Sequence, residues 1–212
     1  MIIPREFFER DTLTVARELL GHMIVRRTNR GEARGIIVET EAYLGEKDDA
    51  AHSYKGKSER VRVQYGPAGM AYIYLIYGMY NCLNITSGPS GVPEVVLIRA
   101  LEPISGLELM KERRRTDRVL QLCSGPGKLC MALDIGRDLY GADMCSDGPL
   151  FLEFGQPPAE TAASKRIGID YAPLCCEKLW RFTIPGNPYV SAPQRRTGQR
   201  RPDPELRTKQ NL

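Results

Sequence analysis

The segment Ala71-Tyr-Ile-Tyr-Leu-Ile-Tyr-Gly-Met-Tyr-Asn-Cys-Leu-Asn-Ile-Thr-Ser87 decides the fold, because two strand-forming runs flank a short Tyr-Gly-Met turn. Both runs are apolar and rich in aromatic and β-branched residues, so we predict a β-hairpin with Tyr77 at or near its tip. Side chains alternate along a strand, which puts Tyr72 and Tyr74 on one face. Tyrosine is common in sheet cores, but a ring exposed at a hairpin tip indicates a contact with another molecule.

A second run, Val38-Glu-Thr-Glu-Ala-Tyr-Leu-Gly45, places carboxylates on a strand. Alternation predicts that Glu39, Glu41 and Tyr43 share one face. The apolar residues that precede them predict a central strand, where a carboxylate is costly unless it is paired or used chemically. Glu41 is therefore a candidate catalytic residue, and a carboxylate that simply faces water is the alternative.

The remaining apolar runs predict further strands and short helices. We predict strands at residues 23–28, 34–42, 95–101 (ended by Glu102-Pro103), 150–154, 165–169 and 180–184, and helices at 11–20 (capped by Asp11), 107–118 and 126–133 (capped by Ser124). Residues 45–69 form a long, charged segment of the kind that is usually functional or mobile. Strands with inserted helices, without regular βαβ alternation, predict a single α+β domain with a largely antiparallel sheet and flanking helices.

The composition limits the classes of protein. The chain has 212 residues, of which 42% are hydrophobic and 26% charged, as expected for one globular domain. We find neither an apolar run of the roughly 18 residues that a membrane helix needs nor a secretory signal, and we expect a cytoplasmic protein. The spacing of the six cysteines does not match a zinc site, so we predict buried, reduced thiols and no metal.

The charge is unevenly distributed. Residues 194–212 contain six Lys/Arg against two Asp/Glu, which accounts for the whole net charge of +4 and leaves residues 1–193 formally neutral. We assign residues 1–193 to the folded domain and residues 194–212 to a basic, flexible tail, which could bind a polyanion or remain solvated.

Two short segments are candidates for phosphate contacts. The segment Ser124-Gly-Pro-Gly-Lys128 lacks the spacing of a P-loop, but a helix start with a nearby lysine can hold one phosphate of a nucleic-acid backbone, so we predict contacts from Ser124, Gly125 and Lys128. The loop cations Lys55, Lys57, Arg60 and Arg62 lie between the two aromatic motifs and have a stronger claim than the basic helix 107–118, whose pattern is typical of a solvated face.

Five segments resemble, in order, the alkyladenine (3-methyladenine) DNA glycosylases. They are residues 38–45, Ala51-His-Ser53, residues 72–84, Arg99-Ala-Leu-Glu-Pro103 and Leu122-Cys-Ser-Gly-Pro126. The resemblance runs from about Ile3 to Ser191. It implies a single mixed domain with a curved antiparallel sheet, from which the tyrosine hairpin protrudes, and it implies no metal or organic cofactor.

The resemblance also implies roles for individual residues. Glu41 resembles the general base that activates a water for attack on the sugar C1′, and Arg99 resembles the arginine that helps to hold this water. Tyr43, His52 and Tyr74 resemble the walls of a base pocket, with His52 also offering a hydrogen bond to the base edge.

Two further residues and the substrate follow from the same resemblance. Tyr77 resembles the residue that intercalates into the duplex where a damaged nucleotide leaves, and Asn84 resembles the pocket-floor asparagine that discourages the guanine amino group. The expected protein is a monofunctional, nucleoid-associated monomer that excises alkylated or deaminated purines from double-stranded DNA and leaves an abasic site. The candidate bases are 3-methyladenine, 7-methylguanine, hypoxanthine and ethenoadenine.

Two other functions stay open from the residues alone. Glu39 and Glu41 would lie about 7 Å apart, which suits the acid/base pair of another nucleoside or glycoside hydrolase. The tyrosines could instead stack on single-stranded nucleic acid in a binding module without catalysis. The exposed tip tyrosine argues against the first alternative, and the buried carboxylates argue against the second.

Overall fold

The computed structural model describes residues 1–191. Its regular elements are α1 (Arg5–Phe8), α2 (Thr12–Glu18), β1 (Met23–Thr28), β2 (Gly31–Tyr43), β3 (Ala71–Ile76), β4 (Tyr80–Ser87), β5 (Glu94–Ser105), α3 (Leu107–Arg114), α4 (Pro126–Ala132), β6 (Leu150–Glu153), β7 (Ala162–Ser164) and β8 (Arg181–Thr183). Short 3-10 helices lie at Gly45–Lys47, Glu59–Tyr65, Val119–Gln121 and Arg137–Leu139. The predicted basic tail lies outside the described residues.

One antiparallel sheet carries the site, in the strand order β3-β4-β5-β2-β1-β6. The central strand β2 pairs with β5 along its length, and its second half also pairs with β8. Register shifts on both sides of Glu39 bend this strand, because a bulge increases local twist. The sheet curls into a half-barrel, which confirms the predicted α+β fold with a curved, largely antiparallel sheet.

The hairpin forms as predicted. Strands β3 and β4 pair from Ala71↔Ile85 to Ile76↔Tyr80, so Tyr77 lies in the turn. Tyr77 has a positive φ of 53° and a side chain that is 78% exposed. The neighbouring side chain of Met79 is also exposed. The tip therefore presents apolar surface to solvent, although burial drives such side chains inward elsewhere in the chain.

Helix α2 covers the middle of the sheet. The Asp11 carboxylate caps it by accepting a hydrogen bond from the Thr14 N–H at 2.8 Å, as predicted. Val15 and Ala16 on its inner face are fully buried in the main hydrophobic core. The Ala16 carbonyl accepts a hydrogen bond from the buried Thr40 hydroxyl, which ties this helix to β2 next to the candidate carboxylates.

Two predicted strand boundaries are wrong. Residues 165–169 do not form a strand, and β7 lies earlier, at Ala162–Ser164. Their hydrogen-bonding groups are used elsewhere: the Ile167 N–H donates to the Glu41 carboxylate instead of to a neighbouring strand. Strand β5 also continues past Pro103, which lies opposite Gly35 beside a register shift, where the lost N–H is tolerated.

Two predicted helix ends also differ. Helix α3 stops at Arg114 because Arg115 adopts a left-handed conformation and the Thr116 N–H closes the last turn on Lys111. Ser124 does not cap α4: Gly125 occupies the cap position, with φ of 143°, and no side chain caps the helix.

All six cysteines are free thiols; four are buried, as predicted, whereas Cys145 and Cys176 are partly exposed. Burial raises the pKa of the Cys123 thiol to about 12. Within residues 1–191, no helix has the length and apolar character required to cross a lipid bilayer.

Candidate active site

Glu41 is held at the centre of a buried polar cluster. It is fully buried, and one of its oxygens accepts a hydrogen bond from the Ile167 N–H at 2.7 Å. The other accepts one from the Tyr43 hydroxyl at 2.8 Å and lies 3.3 Å from an Nη atom of Arg99. All three contacts come from hydrogen-bond donors. A carboxylate offers about four lone-pair directions, which leaves one for a further donor such as water.

Arg99 joins the two carboxylates of strand β2. Its Nε donates to Glu39 at 3.0 Å, while its Nη faces Glu41. Burial lowers the Arg99 pKa, but the carboxylates of Glu41 and Glu39 outweigh it and raise the pKa above its ordinary value. Arg99 therefore carries a permanent positive charge between two acidic groups, and the predicted shared face of these side chains is present.

Glu39 is fully engaged in structural contacts. It accepts hydrogen bonds from Arg99, from Arg181 at 2.7 Å, and from both the N–H and the hydroxyl of Ser191. Its exposed fraction is zero. With four donors around it, Glu39 has no free lone-pair direction toward a substrate.

The segment 165–176 closes over this cluster. Arg166 is bound by both oxygens of the buried Asp48 and donates to the Ala42 carbonyl at 3.0 Å. Its guanidinium carbon also lies 4.5 Å from the ring centre of Tyr43 and 5.0 Å from that of Trp180. This ion pair fixes the neighbouring Ile167 N–H against Glu41 and supports one face of the Tyr43 ring.

An aromatic cavity lies next to Tyr43. The residues that line it include Tyr43, His52, Gln64, Tyr72, Tyr74, Asn84 and Tyr171. The rings of His52 and Tyr74 meet edge to face, with centres 4.5 Å apart. Glu41 does not line the cavity itself. It lies behind Tyr43 and accepts a hydrogen bond from the Tyr43 hydroxyl. Burial and the Glu41 carboxylate raise the pKa of Tyr43 well above its ordinary value, so Tyr43 remains a hydrogen-bond donor.

His52 is neutral in this environment. Part of the His52 residue is exposed, but burial of its ring lowers the pKa. The positive charge of the nearby Arg60 lowers it further, to about 4. Arg60 lies 3.2 Å from Nε2 and has only donors, so Nε2 accepts and Nδ1 carries the proton toward the Tyr72 hydroxyl, 2.8 Å away. The cavity therefore presents an uncharged imidazole at neutral pH.

Asn84 is one of the residues that line the cavity. It is 2% exposed, and its amide nitrogen donates to the Tyr72 carbonyl at 3.1 Å. This bond fixes the orientation of the amide across the paired strands β3 and β4.

The remaining predicted residues lie outside the cavity. Tyr77 is on the hairpin tip, and Ser124, Gly125 and Lys128 surround the start of α4. The Lys128 ammonium donates to the Ser124 hydroxyl at 3.4 Å, and this helix start packs against the tip end of the hairpin, where a Cβ at Gly127 would lie only 3.0 Å from that of Tyr80. The hairpin and the helix start thus form one continuous surface.

One cluster of potential metal ligands occurs among the described residues, and it does not fit a cation. Asp48, Asp49 and Cys175 have ligand atoms within 4.8 Å of one another. Both oxygens of Asp48 are already bound by the Arg166 guanidinium, and burial raises the pKa of the Cys175 thiol. The Arg166 guanidinium therefore supplies the positive charge that balances the buried Asp48 carboxylate, in place of a metal ion.

Several site residues were missing from the sequence prediction. The Asp48–Arg166 pair joins two irregular segments 118 residues apart, and no local pattern connects them. Gln64 lies in a short 3-10 helix without a recognisable motif. Tyr72 could have been included, because alternation already placed it beside Tyr74.

Known proteins match this chain along most of its length. The sequence model of the methylpurine-DNA glycosylase (MPG) family matches residues 6–188. A relative from Methanocella arvoryzae is 49% identical over 191 residues, which cover 90% of this chain and 96% of the relative. Relatives from Methanoculleus marisnigri and Clostridium acetobutylicum are 48% and 45% identical, each covering 90% of this chain and 99% and 98% of their own lengths. All three are named "Putative 3-methyladenine DNA glycosylase".

Proposed function

This chain belongs to the methylpurine-DNA glycosylase family and is a hydrolase that acts on N-glycosyl bonds, and from this membership we propose that it excises alkylated purines from double-stranded DNA by means of a water activated by Glu41. The substrate class includes 3-methyladenine, the base in the names of its relatives. Deaminated hypoxanthine and ethenoadenine are secondary candidates. The product is an abasic site, released by a nucleoid-associated monomer.

The arrangement of donors around Glu41 is the observation that carries this proposal. Three donors contact the carboxylate, and one lone-pair direction remains for a water. Glu41 takes the proton as the water attacks C1′ of the sugar, while Arg99 helps to hold that water and stabilises the carboxylate. Tyr43 links the base pocket to Glu41, because its ring lines the pocket and its hydroxyl donates a hydrogen bond to the Glu41 carboxylate.

Alkylation explains why one carboxylate suffices. An N-alkylated purine is an electron-poor or cationic leaving group, so its departure needs no strong acid. Aromatic faces such as those of Tyr43 and Tyr74 attract a cationic ring, and the neutral His52 adds no opposing charge. The pocket therefore favours the damaged base over its unmodified parent.

The nucleotide must leave the helix before it can reach the cavity, at a cost of a few kcal/mol. Tyr77 is exposed on the tip of the hairpin and offsets part of this cost by stacking in the vacated gap. Ser124, Gly125 and Lys128 contact the phosphate backbone on the adjoining surface, and Asn84 disfavours the guanine amino group at the pocket floor.

The two alternative functions are less consistent with the contacts. An acid/base pair needs Glu39 as a partner of Glu41, but Glu39 already accepts from four donors. A binding module leaves the buried Glu39–Arg99–Glu41 cluster without a use, and such clusters are costly to maintain.

Substitution of Glu41 by Gln tests the proposal. We expect the Glu41→Gln protein to bind lesion-containing duplex while base release falls at least about a hundredfold, because the general base is lost. Single-turnover release of 3-methyladenine from methylated duplex, with abasic sites revealed by alkaline cleavage, measures the effect. Glu32→Gln, on the same strand but partly exposed, is the matched control and retains activity. Unchanged release by Glu41→Gln would rule out this base.

A further inference from the structure

Gln64 has an unsatisfied hydrogen-bonding atom at the cavity. The side chain is 2% exposed, and its amide oxygen is buried without a partner. Within residues 1–191, three other buried side-chain atoms share this property, in Asp49, Asn81 and Arg166, but of the four residues only Gln64 lines the aromatic cavity. A buried acceptor without a donor is costly and most buried polar groups in native proteins have a partner, so this oxygen calls for an explanation.

The oxygen is the end of the Gln64 amide that lacks a partner. Tyr72, which lines the same cavity, does not change this, because burial raises the pKa of its hydroxyl to about 12 and leaves it an uncharged group. Other polar groups of the cavity are engaged: Asn84 donates to a backbone carbonyl, and both ring nitrogens of His52 have partners.

We propose that Gln64 is a specificity-determining residue whose amide oxygen accepts a hydrogen bond from an N–H on the edge of the extruded purine. This inference rests on the proposed function, because it assumes that the aromatic cavity binds a purine. The proposed hydrogen bond distinguishes substrates by whether the edge of the base carries an N–H donor. The amino group of 3-methyladenine supplies such a donor, and so does the ring N–H of hypoxanthine. Ethenoadenine has lost both amino hydrogens to its third ring and leaves the Gln64 oxygen unpaired.

A matched pair of free bases tests this recognition without requiring catalysis. 3-Methyladenine and 3-methylpurine differ only in the amino group, and the affinity of each is measured by calorimetric titration of the full chain. We expect the unsubstituted protein to prefer 3-methyladenine by several-fold to about tenfold, the range of one hydrogen bond. Gln64→Met, of similar length but without an acceptor, loses this preference. Gln64→Glu keeps acceptor oxygens and retains it.

Asn81→Leu is the control, because it removes an equally unpartnered oxygen outside the cavity and leaves the preference intact. Circular dichroism verifies that each variant is folded. The inference is wrong if the unsubstituted protein shows no preference, or if folded Gln64→Met keeps it. Base release from methylated duplex is measured in parallel. A preference for 3-methyladenine without any base release would contradict the proposed function and leave Gln64 as a base-recognition residue.

Discussion

Glu39 shows how a buried charge can serve a neighbouring residue. It orients Arg99, which in turn faces Glu41, and it is itself oriented by Arg181 and Ser191. Its removal takes away the acceptor of the Nε atoms of both Arg99 and Arg181 in a buried site. We expect Glu39→Ala to lower the free energy of unfolding in urea by about 3–5 kcal/mol, the range for breaking a buried ion pair.

The matched control is Glu32→Ala, at the other end of the same strand, where the carboxylate is one-third exposed. Its effect should stay within about 1 kcal/mol, as for surface ion pairs. Equal destabilisation by the two substitutions would show that Glu39 contributes no more than a surface carboxylate.

The depressed pKa of His52 gives a prediction for pH dependence. Because the folded pKa of about 4 lies below the ordinary 6.5, the unfolded chain binds more protons between these values. The contribution of neutral His52 to stability is therefore complete above about pH 6.5 and is lost as the pH falls toward 4. We expect its imidazole resonances to titrate near pH 4 by NMR, with His52→Asn identifying them. A midpoint near 6.5 would mean that the ring is solvated and free of Arg60.

The hairpin tip combines strain with exposure. Tyr77 holds a left-handed conformation that costs a non-glycine residue roughly 1–2 kcal/mol, and glycine would adopt it freely at an entropic cost of up to about 1 kcal/mol. We expect Tyr77→Gly to change the free energy of unfolding by about 1 kcal/mol or less, while excision from duplex falls about tenfold or more, because stacking in the gap is lost.

Excision from a single-stranded oligonucleotide is the internal control for this prediction, since it leaves no gap to fill. Tyr77→Ala should show the same difference between the two substrates. If both substrates are affected equally, Tyr77 acts on the fold or on the cavity and does not replace the extruded base.

Local periodicity was sufficient to predict some elements of the site. Alternation along β2 placed Glu41 and Tyr43 on one face, and the turn residues of the hairpin located Tyr77, because both patterns depend on neighbouring residues. The segment 165–169 was predicted wrongly for the opposite reason. Ile167 and Ile169 alternate as in a strand, but the Ile167 N–H donates to a carboxylate 126 residues earlier, and no local pattern contains that partner.

The same limit applies to the whole molecule. The strand inventory predicted the fold class, since a chain of strands without regular helical crossovers has few compact arrangements. It could not predict that β8 would add to β2 and bring Arg181 to Glu39, or that Gln64 would reach the cavity. Such contacts depend on how the sheet curls, which is a property of the folded molecule.

Charge is also a property of the whole molecule. Residues 1–193 are formally neutral, so duplex binding by the described domain requires that its cations be locally concentrated. The exposed Lys55 and Lys57 lie close in sequence to His52 at the cavity.

If both lysines contact phosphates, replacing both by Gln will make the slope of log affinity against log salt concentration shallower by up to about 2, because each contact contributes about 0.9. Arg30→Gln, in the turn at the other end of β2 from Tyr43, leaves the slope unchanged. An equal effect at Arg30 would mean that the duplex is held by diffuse charge instead of by this loop.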